Sequence, residues 1–401
     1  WIDVYRTLAY VLVPIALLVS LVLVSQGVIQ TFSGHATART LEGAEQVIAR
    51  GPAASQVAIK HVGTNGGGFW NSNSAVPFES PTAFTSYFEL FLEMLIPVAL
   101  VFMFGRMVGS MRQAWAIFAS MMALFAVGVA VVVPAEQQGS QVLRRSGVSL
   151  AAGNGSPGGN MECKETRYGI AASSVFVVGT TATSTGAVNA GLDCLTAAGG
   201  AVPLTAIFLG EVVFGGVGSG LYGMLLYVLL AVFIAGLMVG RTPEYLGKRI
   251  GAREVKLAVL GTVFVPALVL ALTAVAVVAD AGLKSIFNPG PHGFTEALYA
   301  YTSQANNNGS AFAGYGVTDF AAYMGGIALY LGRFVPLIAA LAIGGSLAQK
   351  TVHPAAAGTF RTDTPTFALL LTGVIVIVAG LTIFPALALG PIVESLQKGA
   401  F

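Results

Sequence analysis

Long apolar runs alternate with short polar stretches along the chain. Because about 20 apolar residues cross the hydrocarbon core of a bilayer, each long run predicts a membrane-spanning helix. Seven spans are expected, six of them at 7–29, 87–104, 113–134, 257–279, 320–347 and 367–389. The remaining span begins near Pro203, is interrupted by a glycine-rich stretch at 211–220, and continues as an apolar run at 221–239.

Three shorter segments have helical character but cannot span a membrane. They are expected at 53–62, 168–179 and 295–303, and each leads into a polar loop that contains glycine. Anchored on Gly67, Gly186 and Gly309, these loops lie about 120 residues apart, a period too long for a solenoid. The pattern of span, short helix, glycine loop and span therefore occurs three times and predicts pore units arranged around an axis.

The chemistry of the three loops suits a monovalent cation. A potassium filter replaces the hydration shell of the ion with backbone carbonyls, and glycine opens the backbone angles that this requires. No carboxylate, the usual ligand for a divalent ion, lies in these loops. The predicted filter residues are Thr64, Asn65, Gly66, Gly67, Ser184, Thr185, Gly186, Asn307, Asn308 and Gly309.

The interruption of the fourth span is a second candidate site. Four glycines within six residues disfavour a regular helix. Broken backbone at membrane depth is tolerated only where it is buried in protein or lines a cavity. We interpret the stretch as an irregular segment beneath the filter, with Glu211 either reaching solvent at a helix end or lying beside the ion path. The residues concerned are Glu211, Gly215, Gly216, Gly218 and Gly220.

An arginine in the middle of a span is costly and usually faces a cavity or a partner. Arg333 lies in the middle of the sixth span. One hypothesis is that it lies below the filter and repels cations leaving towards the cytoplasm. The alternatives are that it pairs with a buried carboxylate or with a lipid headgroup.

Composition supports a lipid environment. The chain is 55% hydrophobic and 9% charged, with a mean hydropathy of +0.78, whereas a soluble domain carries about 25% charged residues. A net charge of +2 gives no indication of nucleic-acid binding. The four histidines are scattered, so a metal site is not expected. Cys163 and Cys194 could pair if both face the outside, but two unpaired thiols are predicted.

The distribution of Lys and Arg predicts the orientation. Basic clusters at 106–112, 241–256 and 350–361 fall on one side of the expected spans, which is cytoplasmic by the positive-inside rule. The three glycine loops then face outside. The polar stretch at 136–167, rich in Gly, Ser and Asn, is expected to be an exposed, mobile loop on the same side.

The expected fold is an all-α membrane protein in which helix–pore loop–helix units surround a pseudo-four-fold pore. Three units do not close such a ring, so a fourth is expected before Trp1 or from another chain. The predicted division is into pore repeats at 1–109, 110–250 and 251–350 and a C-terminal transmembrane helix with a tail at 351–401.

Five stretches carry a resemblance to a known family. They are G-T-N-G-G-G-F at 63–69, G-E-V-V-F-G-G-V-G-S-G-L-Y-G at 210–223, G-R-T-P-E-Y-L-G-K at 240–248, N-P-G-P-H-G-F at 288–294 and A-N-N-N-G-S-A-F-A-G at 305–314. The chain resembles, over its whole length, the KdpA family of potassium-translocating subunits from bacterial Kdp complexes. One departure is Thr185, where the family pattern has cysteine; a hydroxyl there is a compatible oxygen ligand.

The resemblance implies a role in the bacterial plasma (inner) membrane. The chain would carry repeats two to four of a four-repeat potassium transporter and take K⁺ as its substrate, with no organic cofactor. It would pass the ion to a P-type ATPase catalytic subunit, with small accessory subunits and membrane lipid completing the assembly. The segment from Gly215 to Gly220 matches the gating loop of the family, and Arg333 matches a positive residue of the last repeat.

No catalytic site is expected in the chain itself. The sequence contains neither a G-x-x-x-x-G-K-[ST] loop nor an aspartate in a D-K-T-G setting, so ATP-driven transport would require a partner. One alternative is a stand-alone potassium channel or symporter of the same superfamily with a cytoplasmic regulatory ring. Another is a scaffold whose loops no longer bind ions.

Overall fold

A computed structural model describes residues 1–153, 156–353 and 360–396 of the chain. Within these residues the protein is mainly helical, and seven helical stretches are long and apolar enough to cross a membrane. This confirms the expected all-α membrane protein with seven spans. The spans are Ile2–Ser25, Ala83–Met107, Met111–Arg145, Ser219–Val239, Ala252–Val278, Asp319–Ala348 and Pro365–Leu396.

Three short helices precede the glycine loops, as the sequence predicts. The first short helix is Ala53–Val62, the second is Gly169–Ala182 and the third is Gly290–Asn306. The third begins at Gly290 rather than at 295, because Pro291 at its N-terminus is well placed to start a helix. Shorter helical turns occur at Asn73–Ala75, Gln141–Arg145 and Asp280–Leu283.

The expected broken span consists of two helices. Ala197–Phe208 ends before the glycine-rich stretch, and Ser219–Val239 follows it. Between them Glu211 and Phe214 adopt positive φ values of 51° and 67°, which a helix cannot accommodate. The second helix begins at Ser219, so Gly220, predicted to lie in the interruption, is in its first turn instead.

The second to seventh spans and the second and third short helices share one large apolar core. A smaller cluster joins the first span, the first short helix and the second span through Leu23, Val57 and Leu92. In the large cluster, completely buried side chains come from many different helices, so no span forms a separate body. They include Ile117, Val177, Leu204, Val228, Val269, Leu298 and Ile375.

The described residues include two antiparallel hairpins, of which the second places Tyr245 in the large apolar core. Ala36–Arg39 pairs with Glu45–Ile48, and Glu244–Tyr245 pairs with Lys248–Arg249. The second hairpin belongs to one of the basic clusters, and its Lys248 Nζ donates a hydrogen bond of 2.6 Å to the carbonyl of Leu347 at the end of the sixth span.

The stretch at 136–167 corrects one expectation. Its middle part is exposed, but the side chains of Glu136, Asn160 and Lys164 are buried. Lys164 Nζ lies 2.8 Å from Glu136 Oε2, and Asn160 Nδ2 donates to the same oxygen at 2.8 Å. A buried carboxylate needs such partners, so both ends of the stretch are held against the helices. Residues 154 and 155 lie outside the described part.

The structure also corrects the expectation for the two cysteines. Cys163 and Cys194 form a disulfide rather than two unpaired thiols. Cys163 lies near the end of the polar stretch and Cys194 follows the second glycine loop, so the two cysteines flank the second short helix in the sequence. Sequence spacing alone could not show that the fold brings these positions together.

Candidate ion-binding site

The three glycine loops meet in the structure. A Cβ built on Gly66 would lie 2.8 Å from the carbonyl oxygen of Thr185 and 3.2 Å from that of Asn308. A Cβ built on Gly186 would collide with the carbonyl oxygen of Asn308, and one on Gly309 would lie 3.7 Å from the Cα of Gly66. Backbone from all three loops, with two carbonyl oxygens, therefore occupies one small volume, in which Gly66 and Gly186 have no room for a side chain.

Each loop reaches this volume through the same kind of turn. A polar residue just beyond each short helix adopts a positive φ of 50° at Thr64, 58° at Ser184 and 60° at Asn307. Within three residues a glycine follows with φ values of 99°, 77° and 102° at Gly67, Gly186 and Gly309. Left-handed conformations are rare for residues with a Cβ, so their recurrence indicates three loops of similar geometry.

Side chains around the meeting point form hydrogen bonds that hold the loops in place. Asn308 Nδ2 donates to the carbonyl of Thr180 at 3.1 Å and to Glu211 Oε1 at 2.5 Å. Its Oδ1 accepts a hydrogen bond of 3.0 Å from the backbone N–H of Ser310. The hydroxyl oxygens of Thr183 and Thr185 lie 2.7 Å apart. The backbone carbonyl of Asn308 is therefore at the meeting point, whereas its amide is committed elsewhere.

The irregular segment between the two halves of the broken span packs directly against the loops. Val217 N–H donates to Thr64 Oγ1 at 3.1 Å, and Gly215 N–H donates to the Ala182 carbonyl at 2.9 Å. A Cβ on Gly216 would lie 3.2 Å from the Cβ of Ser184. The segment thus touches the first loop, the second loop and the end of the second short helix.

Gly215 of this segment allows a close backbone approach. A Cβ on Gly215 would collide with the Cα of Gly220 and with the carbonyl of Glu211. Gly215 also has a φ of 72°, and Gly218, with a φ of 86°, precedes the following helix. Any larger residue at Gly215 would force the segment apart.

Glu211 does not reach solvent, so that alternative is wrong. It is 2% exposed and accepts the hydrogen bond from Asn308. It also lines a cavity of about 60 Å³ between the broken span, the fifth span and the sixth span. Asn306, Asn307 and Arg333 line the same cavity.

Arg333 lies on the side of the cavity formed by the sixth span. Its guanidinium interacts electrostatically with Glu211. In the part of the chain that the structure describes, no salt bridge within 4.0 Å includes Arg333. A positive charge therefore faces the cavity without a carboxylate in direct contact.

The sequence comparisons agree with the resemblance noted above. Residues 1–396 match the family model described as potassium-transporting ATPase A subunit. The chain belongs to this family. A protein of Sorangium cellulosum is 53% identical over 99% of this chain and 70% of its own length. Relatives in Methylobacterium nodulans and Mesorhizobium japonicum are 55% identical over 100% and 99% of this chain and 69% of their own length. All three are named potassium-transporting ATPase potassium-binding subunit.

The structure brings together two groups of charged residues that were not predicted from the sequence of this A-subunit chain. The first surrounds His292, at the N-terminus of the third short helix. Its Nδ1 lies 3.0 Å from Glu394 Oε1 and its Nε2 lies 3.2 Å from Asp193 Oδ1. Ligand atoms of Asp193, His292 and Glu296 lie within 4.8 Å of one another, close enough to hold a metal ion.

The hydrogen bonds of His292 indicate a charged imidazole in this group. Burial alone lowers the pKa of His292, but hydrogen bonds and charge from Asp193 and Glu394 outweigh it and raise the pKa to about 10. An imidazolium bridging two carboxylates accounts for the cluster without a metal. Because Asp193, His292 and Glu394 are far apart in sequence, no motif indicated it.

The second group lies behind the first loop and contains Lys60, His61, Glu79, Glu89 and Glu93, all buried. A signal for it did exist in the sequence. Glu89 and Glu93 are separated by one helical turn within an apolar span, and ionisable residues in a span usually have a partner.

Proposed function

We propose that this chain is the potassium-binding and translocating subunit of an ATP-driven uptake complex. Membership of the A-subunit family and the printed names of its relatives support this. The single observation that carries the proposal is the meeting of three glycine loops, with the carbonyl oxygens of Thr185 and Asn308 in the shared volume.

The proposed ion site is a filter of backbone oxygens. Carbonyl dipoles can replace the water shell of a potassium ion without a full negative charge, which suits a monovalent cation. The site comprises the ten loop residues predicted from the sequence, with the side chain of Asn308 acting as a support. The three loops belong to three pore repeats, at 1–109, 110–250 and 251–350, with an extra C-terminal span.

The irregular segment from Glu211 to Gly218 is proposed as a gate beneath the filter. Its contacts with Thr64, Ala182 and Asn308 support this, because any movement of the segment must break hydrogen bonds to the loops. Arg333 lies in the cavity next to it, where its charge would oppose the onward passage of a cation.

The energy source is proposed to be a P-type ATPase catalytic subunit in the bacterial plasma membrane, with small accessory subunits and lipid. The sequence offers no nucleotide-binding or phosphorylation motif of its own. The relatives reported above are named as ATPase subunits rather than as channels or symporters. The pump subunit is therefore favoured over a stand-alone channel.

The decisive experiment compares two glycine substitutions in the purified complete complex. Gly186→Ala places a methyl group against the carbonyl of Asn308 in the filter, whereas Gly326→Ala adds one where nothing lies within 4 Å. We expect Gly186→Ala to raise the potassium concentration for half-maximal binding by about tenfold or more, which is about 1.4 kcal/mol. Gly326→Ala should bind as the wild type does. Unchanged binding by a folded Gly186→Ala complex would contradict the filter.

A further inference from the structure

Five ionisable side chains form a buried cluster behind the first loop. Lys60 and His61 are on the first short helix, Glu79 is in the connection that follows, and Glu89 and Glu93 are on the second span. Lys60 is 4% exposed and the other four are completely buried. Such a concentration of charge away from water must be neutralised internally.

One pair within the cluster is self-sufficient. Lys60 Nζ lies 2.9 Å from Glu79 Oε2, and Glu79 Oε1 accepts a hydrogen bond of 3.0 Å from the backbone N–H of Trp70. This pair has opposite charges and well-placed hydrogen bonds. It leaves His61, Glu89 and Glu93 to be balanced among themselves.

These three groups are in contact but incompletely bonded. His61 Nδ1 lies 2.9 Å from Glu93 Oε1, and its Nε2 lies 3.3 Å from Ser74 Oγ and 3.5 Å from Glu89 Oε2. Among the described residues, both oxygens of Glu89 and the Oε2 of Glu93 have no hydrogen-bond partner with good geometry, although the hydroxyls of Ser74 and Ser80 lie close enough to Glu89 to interact with it. A buried carboxylate in this condition would carry a large desolvation cost.

The desolvation cost falls when the three groups together carry no net charge. If His61 is an imidazolium, one of the two carboxyl groups must be protonated for the trio to be neutral. If His61 is neutral, both carboxyl groups must be protonated. In either case a neutral trio has at least one carboxylic acid, and any other state leaves a net charge buried without a counter-ion.

Among the described residues, the cations on neighbouring elements are engaged in other contacts, although the charge of Lys60 also acts on all three groups of the trio. Lys60 is paired with Glu79, and the guanidinium of Arg167 donates to the carbonyls of Ser80 and Ala75 while pairing with Glu165. From the second short helix the ring of Phe176 packs edge-on against His61. The hydroxyl of Tyr168, which precedes that helix, donates to the carbonyls of Ser74 and Ser80.

We propose that Glu89, Glu93 and His61 form a proton-binding site that keeps at least one carboxyl group protonated at neutral pH. The site supports the first loop from behind. The carbonyl of His61 accepts the backbone N–H of Thr64 at 3.3 Å, and that of Lys60 accepts the N–H of Asn65 at 2.8 Å. Because the backbone of Lys60 and His61 is bonded to the loop, a movement of either of these residues would be transmitted to the loop.

The proposal does not depend on potassium binding, so it is tested without potassium. Infrared spectra of the complete purified complex would be recorded at neutral pH for the wild type, Glu89→Gln, Glu93→Gln and the double variant. A protonated carboxylic acid has a carbonyl-stretch band that a carboxylate lacks. Glu136→Gln is the matched control, because Glu136 is equally buried but is paired with Lys164 and fully hydrogen-bonded.

We expect the double variant to lose a carboxylic-acid band that the wild type and Glu136→Gln retain. At least one single variant should lose the band or shift its frequency, because the proton is either released or moved to the other carboxyl group, so a double variant that fails to assemble does not prevent the test. The same band should disappear when the wild type is titrated to strongly alkaline pH. If both single variants keep the intensity and also the frequency of the wild-type band, neither carboxyl group holds the proton and the proposal is wrong.

Discussion

The side-chain amide of Asn308 donates a hydrogen bond of 2.5 Å to Oε1 of Glu211. This bond joins the third glycine loop to the irregular segment of the broken span. The second bond of the same amide, to the carbonyl of Thr180, joins that loop to the second short helix. One side chain therefore fixes the relative positions of three elements around the proposed ion site.

Removing the carboxylate should loosen this connection. In Glu211→Ala the buried amide of Asn308 loses a hydrogen-bond partner, and leaving a buried polar group unsatisfied typically costs about 1–3 kcal/mol. We expect a lower Tm of the complex and a roughly tenfold weaker potassium affinity. Thermal unfolding and potassium titration would measure both, with Glu42→Ala, which changes an exposed carboxylate, as the control. Wild-type affinity in Glu211→Ala would rule out a role for this contact in the site.

The charge of Arg333 should matter more than its shape. If the guanidinium repels cations in the cavity below the loops, Arg333→Ala should increase passive potassium leak through the complex in liposomes without ATP. Arg333→Lys keeps the charge and should restrict the leak as the wild type does. Arg39→Ala, on an exposed strand, is the control for loss of a positive charge. Equal leak in all four proteins would show that Arg333 is not a barrier.

The bridge made by His292 predicts a pH-dependent contribution to stability. The folded pKa of His292, about 10, is raised above the ordinary value of 6.5. The proton is therefore held more tightly in the folded state, so the contribution is full below about pH 6.5 and is lost as the pH rises through about 10.

The measurement is the Tm of wild type and His292→Gln between pH 6 and 10. We expect the wild type to be more stable by roughly 2 °C or more at pH 6 and the difference to shrink towards pH 10. His35→Gln, at an exposed position, should show no such trend. A difference between wild type and His292→Gln that is constant with pH would contradict the charged bridge.

Local pattern was enough to predict much of the fold. The seven spans follow from runs of apolar residues, because the thickness of the bilayer sets their length. The short helices and the turns after them follow from polar glycine stretches, which cannot continue a helix at membrane depth. Thr64, Ser184 and Asn307, which adopt the positive φ values in these turns, were all among the predicted filter residues.

Contacts between distant parts of the chain could not be predicted in this way. The sequence was equally compatible with a solvent-exposed Glu211, because the amide that donates a hydrogen bond to its buried carboxyl group belongs to the distant third loop. The pairing of Lys164 with Glu136 required the polar stretch to fold back on itself. The disulfide and the bridge of His292 likewise join residues that no local motif connects.

The disulfide between Cys163 and Cys194 closes a covalent ring, since the two residues are 31 positions apart. The second short helix and the turn at Ser184–Gly186 both lie inside this ring. A protease that cuts a single peptide bond between the two cysteines would therefore release no fragment under oxidising conditions. The two halves of the chain would separate on a denaturing gel only after reduction.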